Sequence, residues 1–294
     1  MKVVLFCGGL GTRLREGADG VPKPMVTIGY RPALWHVMKY YAHFGHKDFI
    51  LCLGYRADLI KTYFLNYSEC ISNDFVLSNG GKNVELLRSD LEGWNITFVD
   101  TGLHSNVNER LKAVRRFVED EPMFLANYSD GFSDLPLPEM IERFKSSGKT
   151  AALLSVKPCH SFHFVKARKD NVITSVQGAA TADMWINGGY FVLRQGIFDY
   201  IHDGEDLVEG TFGRMVRDEQ ILAYRYEGFW APMDTFKDKQ RLEELYARGS
   251  APWEVWKKPF AAERIEATPR TRFAAGGAVT VFPDNANGQA VPQP

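Results

Sequence analysis

The sequence predicts an α/β fold, a mainly parallel sheet flanked by helices. Several short runs are apolar throughout, the pattern of strands buried on both faces. Loops and helix-spaced stretches alternate with these runs, an order that calls for parallel pairing through crossovers. The most distinctive residues follow the runs directly, where ligands bind in open α/β sheets.

Val3–Cys7 (VVLFC) is the first run, closed by Gly8-Gly9-Leu10-Gly11. A loop leads through Pro22-Lys23-Pro24 to a helix over Pro32–Phe44, with Leu34, Val37, Met38, Tyr41 and Ala42 on one face and Gly45 at its C-terminal cap. Asp48–Leu53 is a second buried strand, turned by Gly54-Tyr55 into a helix over Ala57–Leu65. Further strands are expected at Asn95–Val99, Met123–Asn127, Ala151–Val156, Ile186–Leu193 and Leu222–Tyr226. Helices are expected at Glu109–Phe117, Pro138–Lys145 and Lys239–Ala247. No internal repeat is visible. From about Pro259 the chain turns rich in Ala, Gly and Pro without a sustained period. The expected organisation is one domain over residues 1–258 and a poorly ordered tail over 259–294, with a short strand at Ala278–Phe282 as the alternative.

A chain of 294 residues carries 35 basic and 36 acidic side chains, a formal charge of −1. That balance argues against a nucleic-acid partner held by bulk charge. It leaves room for one small anion at a local site. Cys7, Cys52, Cys70 and Cys159 are widely spaced and form no CxxC pair, which reads as thiols of a reducing compartment. No apolar run approaches the ~20 residues that span a bilayer, and the apolar stretch after Lys2 is too short for a signal peptide. The expectation is a cytoplasmic protein with no membrane partner.

Gly8-Gly9-Leu10-Gly11-Thr12-Arg13-Leu14 is the strongest chemical signal. Glycines let the backbone approach a ligand, and their free amides can cradle phosphates. Arg13 adds a rigid fork of donors for phosphate oxygens. A P-loop would need Gly-Lys-Ser/Thr after four spacer residues, and a dinucleotide fingerprint would need glycine where Leu14 stands. A plain tight turn competes for the glycines taken alone; Arg13 and the proline-flanked Lys23 weigh against it. The two prolines stiffen the backbone around Lys23 and favour a positioned ammonium. Asp130 and Asp234 follow strand-like segments, and two acids converging at a sheet's edge suit Mg²⁺ together with substrate phosphates. Loop capping is the alternative for each acid singly. His36, inside an apolar helix, reads as a packed histidine; Trp35, Trp230, Trp253 and Cys7 read as core or interface residues.

GGLGTRL (Gly8–Leu14), PKPM (Pro22–Met25), Leu34–Tyr55, FVDTG (Phe98–Gly102), YSDG (Tyr128–Gly131), INGGYFVL (Ile186–Leu193), GFWAPMDTFKDK (Gly228–Lys239) and APWEVW (Ala251–Trp256) carry a family resemblance. With them the chain resembles the nucleoside-diphosphate-sugar pyrophosphorylases, and within these the glucose-1-phosphate cytidylyltransferase branch. The resemblance runs from Met1 to about Lys258. It implies a Rossmann-like fold of the nucleotide-diphospho-sugar transferase type, with a smaller sugar-side subregion. It implies cytidylyl transfer from CTP to a sugar-1-phosphate, with release of pyrophosphate, as in nucleotide-sugar and polysaccharide biosynthesis. By position, Gly8, Gly9, Gly11, Thr12, Arg13 and Arg110 would hold the nucleotide, with Arg13 and Lys23 acting at the reacting phosphates. Asp130 would bind nucleotide and, with Asp234, Mg²⁺; Tyr128, Asn187 and Gly188 would lie against the sugar. A homo-oligomer is also implied.

The chain departs from the family pattern mainly on the sugar side. Ser175–Ala180 stands where the family carries Glu-Lys-Pro, whose lysine grips the sugar phosphate. Ser161-Phe162-His163 replaces Arg-Phe-Gly, Gly210-Thr211 replaces Glu-Pro, and Asn108-Glu109 precedes Arg110-Leu111 where a small glycine-containing step is usual. Three expectations follow side by side: another cation such as Lys166 or Arg168 serving the acceptor, a non-glucose or non-sugar phosphate acceptor, or a nucleotide-binding regulatory relative with weakened turnover.

Overall fold

A computed structural model describes residues 1–9, 20–158, 163–179, 183–257, 271–274 and 279–281. The chain divides into two compact units, Met1–Leu65 with Gly93–Lys258, and Asn66–Glu92 with Pro259–Pro294.

The first unit is built on a seven-stranded sheet. Its strands are β1 (Lys2–Phe6), β2 (Asp48–Leu53), β3 (Asn95–Asp100), β4 (Met123–Asn127), β5 (Ala151–Val156), β6 (Ile186–Arg194) and β7 (Ile221–Tyr226). They lie in the order β7-β5-β6-β4-β1-β2-β3. All neighbouring pairs are parallel except the two made by β6, which runs antiparallel to β5 and β4. The expected mainly parallel sheet is therefore present, with one reversed strand inside it. An apolar run is the same read in either direction, so the reversal of β6 leaves no mark in its residues.

Alternate side chains explain why these runs are apolar throughout. On β1, Val3 and Leu5 enter one core while Val4 and Phe6 enter another. On β2, Phe49 and Leu51 face the first core, and Ile50 and Cys52 the second. Helices α1 (Ala33–His43), α2 (Ala57–Leu65) and α4 (Leu137–Ser147) cover the first face through Leu34, Val37, Tyr41, Ile60, Met140 and Phe144. Helices α3 (Val107–Ala113) and α5 (Gly213–Arg217) cover the other through Leu111 and Met215. Burial of both faces is the hydrophobic drive behind such a layered fold. A third cluster, with Ile28, Phe132, Met233, Leu242 and Trp253, packs the last helix, α6 (Phe236–Ala247).

Two small additions decide where the chemistry sits. Gly131–Ser133 pairs antiparallel with Trp230–Pro232, placing Gly131 opposite Pro232. His163–Ala167 and Ile173–Gly178 form a hairpin in the region that lacks Glu-Lys-Pro.

The second unit holds a four-stranded sheet in the order Val279–Val281, Thr271–Ala274, Asn83–Leu86, Phe75–Ser78. The alternative strand at Ala278–Phe282 thus meets a strand over Val279–Val281. Apart from that strand and Thr271–Ala274, the expected tail lies outside the described residues, as do Gly11, Thr12 and Arg13 of the glycine turn.

Candidate active site

The carboxyl ends of β1 and β4 meet at one edge of the sheet. After β1 the chain leaves through Cys7 to Gly8 and Gly9. Cys7 is fully buried, its amide donates to Cys52 O at 2.9 Å, and burial pushes its thiol up to about 12. It is a core residue, as expected.

After β4, Ser129 adopts a left-handed conformation with φ 64°. Its amide donates to Asn127 Oδ1 at 2.7 Å and its hydroxyl to Phe6 O at 2.8 Å, so the strained corner is over-determined. The corner delivers Asp130. Asp130 O accepts from the Met233 amide at 2.9 Å, extending the Gly131–Pro232 ladder by one step. Asp234 follows directly. Its amide donates to Asp238 Oδ2 at 3.2 Å, within the capping box that Thr235 and Asp238 make at the start of α6. Two acids more than a hundred residues apart in sequence are thereby brought together by a three-residue ladder and a helix cap.

Lys23 completes the group. It begins a single 3-10 turn, Lys23–Met25, between Pro22 and Pro24. Its Nζ donates to Asp130 Oδ2 at 2.6 Å and to Asp234 Oδ1 at 2.5 Å. Burial disfavours its ammonium, but the two carboxylates outweigh burial and raise its pKa above the ordinary value. Burial raises the pKa of Asp130, against the opposing pull of Lys23. The three sequence-predicted residues Lys23, Asp130 and Asp234 therefore share one point, two carboxylates about one ammonium.

The sugar-side residues line the neighbouring strand. Asn187 Nδ2 donates to the Tyr128 hydroxyl at 3.2 Å, and Asn187 Oδ1 accepts from the Gly189 amide at 2.9 Å. Gly189 has φ +75°, a conformation L side chains rarely adopt, at a register irregularity of β6. Gly188 O accepts from Trp230 Nε1 at 2.8 Å. Burial lifts the Tyr128 phenol to about 12.

Arg110 is 3% exposed and points into the strand ends. Nη1 donates to Leu53 O at 3.0 Å and Thr101 Oγ1 at 2.7 Å, and Nη2 donates to Gly8 O at 3.1 Å. Burial lowers the pKa of its guanidinium.

His36 and the tryptophans behave as expected. His36 Nε2 lies 3.0 Å from Ile28 O, and Trp253 Nε1 donates to His36 Nδ1 at 3.3 Å, which fixes a neutral tautomer. Burial lowers its pKa to about 4. Trp35 and Trp253 are buried. Lys166 pairs in register with Ser175 on the hairpin, and Arg168 makes an ion pair with Asp170.

One cluster escapes sequence reasoning. Lys157 Nζ and Arg225 Cζ lie 4.4 Å and 5.2 Å from the centroid of the Trp185 ring, and Asp183 Oδ1 accepts from both Lys157 and Trp185 Nε1. Lys157 and Arg225 are far apart in sequence and meet through the pairing of β5 with β6 and β7. No spacing rule joins them.

Among the described residues no group of three or more His, Cys, Asp or Glu could hold a metal, and no helix is long and apolar enough to cross a membrane. A family model described as nucleotidyl transferase matches residues 2–238. Glucose-1-phosphate cytidylyltransferase of Salmonella typhimurium is 40% identical over 257 residues, covering 87% of this chain and 100% of that enzyme. The enzyme of the same name from Salmonella typhi is 39% identical with the same coverage. Among solved structures, HddC from Yersinia pseudotuberculosis superposes with a TM-score of 0.59 at 20% identity, covering 83% of this chain and 99% of that one. That likeness speaks to the fold.

Proposed function

The chain belongs to the nucleotidyl transferase family, and from that premise we propose that it transfers the cytidylyl group of CTP to glucose-1-phosphate or a related sugar-1-phosphate. An acceptor phosphate oxygen attacks the α-phosphorus, the bond to the bridging oxygen breaks, and pyrophosphate leaves with that electron pair. The product is a CDP-sugar. No covalent enzyme intermediate is required, so positioning and charge carry the catalysis.

The observation that supports this reading most is the convergence of Asp130 and Asp234 on Lys23 Nζ beside the exit of β1. The ammonium stands in for a cation: two carboxylate oxygens from different segments already face one point. The donor set therefore fits Mg²⁺, which favours one or two carboxylates plus phosphate oxygens. Asp130 and Asp234 would hold it, and bound there it would supply neutralising charge to the phosphates. Lys23, displaced from between the acids by that cation, would offer its ammonium to the reacting phosphates. Gly8, Gly9, Gly11, Thr12 and Arg13 would hold the triphosphate. Tyr128, Asn187 and Gly188 would face the sugar.

A different acceptor is the second reading, favoured by one observation. The strand Ile173–Gly178 carries no cation, whereas Lys157 and Arg225 gather around Trp185 at the edge where β6 begins. Those two cations would serve the acceptor phosphate. The buried Cys7 and Cys52, unpaired with one another, agree with work in the reducing cytoplasm. A homo-oligomer belongs to the same reading, and light scattering checks it.

Pyrophosphate release, measured with each of the four ribonucleoside triphosphates against a panel of sugar-1-phosphates and Mg²⁺, tests the proposal. CTP with glucose-1-phosphate is expected to give the highest kcat/KM. Preference for an acceptor that is not a sugar-1-phosphate, tested beside the panel, would select the second reading. Binding of CTP with no turnover on any acceptor would overturn both and leave a regulatory relative.

A further inference from the structure

Helix α6 does more than present Asp234. Lys239, Leu242, Glu243 and Tyr246 recur at i, i+3, i+4 and i+7, which places them on one face of the helix. That face meets a two-stranded ribbon, Thr27–Ile28 paired with Arg31–Pro32, which follows directly on the Lys23–Met25 turn. Ile28 and Leu242 are both fully buried in the third core cluster.

Glu243 holds the tip of the ribbon. Its Oε2 accepts from the Gly29 amide at 3.0 Å, and its Oε1 accepts from Lys239 Nζ, one helical turn earlier, at 3.4 Å. One carboxylate thus joins a cation of its own helix to a backbone amide of the ribbon, and hydrogen bonds to ionised acceptors are the stronger kind. Gly29 has φ +61°, and a Cβ there would collide with the Tyr246 ring. The tip therefore lies flush on Tyr246 while its amide meets Glu243. Tyr30 adds an edge-on contact with the same ring, centroids 6.4 Å apart.

The base of the ribbon is tied back to Lys23. The Ala33 amide donates to Val26 O at 2.9 Å, and the Val26 amide donates to Lys23 O at 3.1 Å. Lys23 Nζ in turn donates to Asp234 Oδ1, and Asp234 leads into α6. Lysine, ribbon, Glu243, helix and acid form a closed circuit. Glu243 lies more than two turns along α6 from Thr235, roughly 12 Å at the helical rise, too far to touch a phosphate gathered at the acids.

We propose that Glu243 is a positioning residue for the reaction: by holding the Gly29 amide it fixes the backbone of Lys23 to the helix that follows Asp234, so that the ammonium is offered from a fixed base. This rests on the reading that Lys23 and the two acids act at the reacting phosphates. A ribbon free to swing would misplace the ammonium, and a displacement of about 1 Å at a reacting centre can cost about a hundredfold in rate.

Glu243→Ala and Glu243→Gln in the full chain test the proposal with two readouts. Acylation of Lys23 by acetic anhydride, followed by peptide mass spectrometry on the free protein, reports the ammonium without any substrate. In the parent the two acids keep that amine protonated and slow to react. Glu243→Ala is expected to speed Lys23 labelling several-fold, with Lys145 of α4 unchanged as the reference. In pyrophosphate release with CTP and glucose-1-phosphate, kcat is expected to fall about ten- to a hundredfold while both KM values stay within about twofold. Glu243→Gln keeps an acceptor for the Gly29 amide and is expected to bring both readouts back towards the parent. A lowered melting temperature with Lys23 labelling and kcat at parent values would overturn the proposal, and so would equal damage by Ala and Gln. Should Glu243→Ala fail to fold, Glu243→Asp withdraws the carboxylate by one methylene at constant charge; faster Lys23 labelling is expected there, and parent-like labelling counts against the proposal. If the parent turns over no acceptor, labelling still decides whether Glu243 places Lys23, and only the phosphate reading falls.

Discussion

Lys23 answers to two carboxylates at once, and that arrangement sets what substitution does. Replacing Asp130 or Asp234 by Asn leaves the ammonium one acid, so no buried charge is stranded and stability should change by no more than about 1 kcal/mol. Turnover should fall by at least about a hundredfold in each variant, because the charge that gathers a cation at the phosphates is halved. Steady-state assays beside thermal melts check both halves, and retained metal-dependent activity in either variant would remove that acid from the site. These three residues are legible in the sequence because proline flanks and strand ends are local signals. Their convergence is not, because it depends on the pairing of Gly131 with Pro232, which no local pattern encodes. Arg110 shows the opposite case: its position stands out through the family motif, while its direction, into the strand ends, depends on three strands at once.

Helix α6 joins stability to the site. Thr235 Oγ1 accepts from the Asp238 amide at 3.2 Å, and Asp238 Oδ2 accepts from the amides of Thr235 and Asp234. Thr235→Ala should cost about 1 kcal/mol, measured by denaturant unfolding, and should lower turnover by freeing the segment that carries Asp234. Unchanged turnover beside the expected stability loss would show that Asp234 does not depend on the cap. The doubly buried strands are readable to within a residue or two, because burial on both faces imposes an unbroken apolar run. The hairpins at Phe75–Leu86 and His163–Gly178 are not. Three of their four strands are largely exposed, so little buried face disciplines their sequence. The apolar spacing starts helix α3 at Glu109, but the capping box begins it at Val107 and the later residues form a separate 3-10 turn.

Stability of the folded unit should depend on pH through its buried histidines. The His36 pKa falls from 6.5 to about 4 because burial penalises the charged ring. His46 shifts the same way, by burial and then by the N-terminal charge. Between pH 6.5 and 4 the unfolded chain binds protons that the folded chain refuses, so stability declines as pH falls through that window and the loss levels off below it. For His36 alone the decline amounts to about 3 kcal/mol. His36→Asn should flatten that part of the curve in urea titrations taken at successive pH values. An unchanged slope would mean the ring is protonated in place.

The ladder between Gly131–Ser133 and Trp230–Pro232 also fixes an order of events during synthesis. All seven strands of the sheet have been delivered by residue 226, before Asp234 has been made. The scaffold strands and the second acid are thus separate in the chain, and the site is complete only where the segment leading into α6 lies on that scaffold.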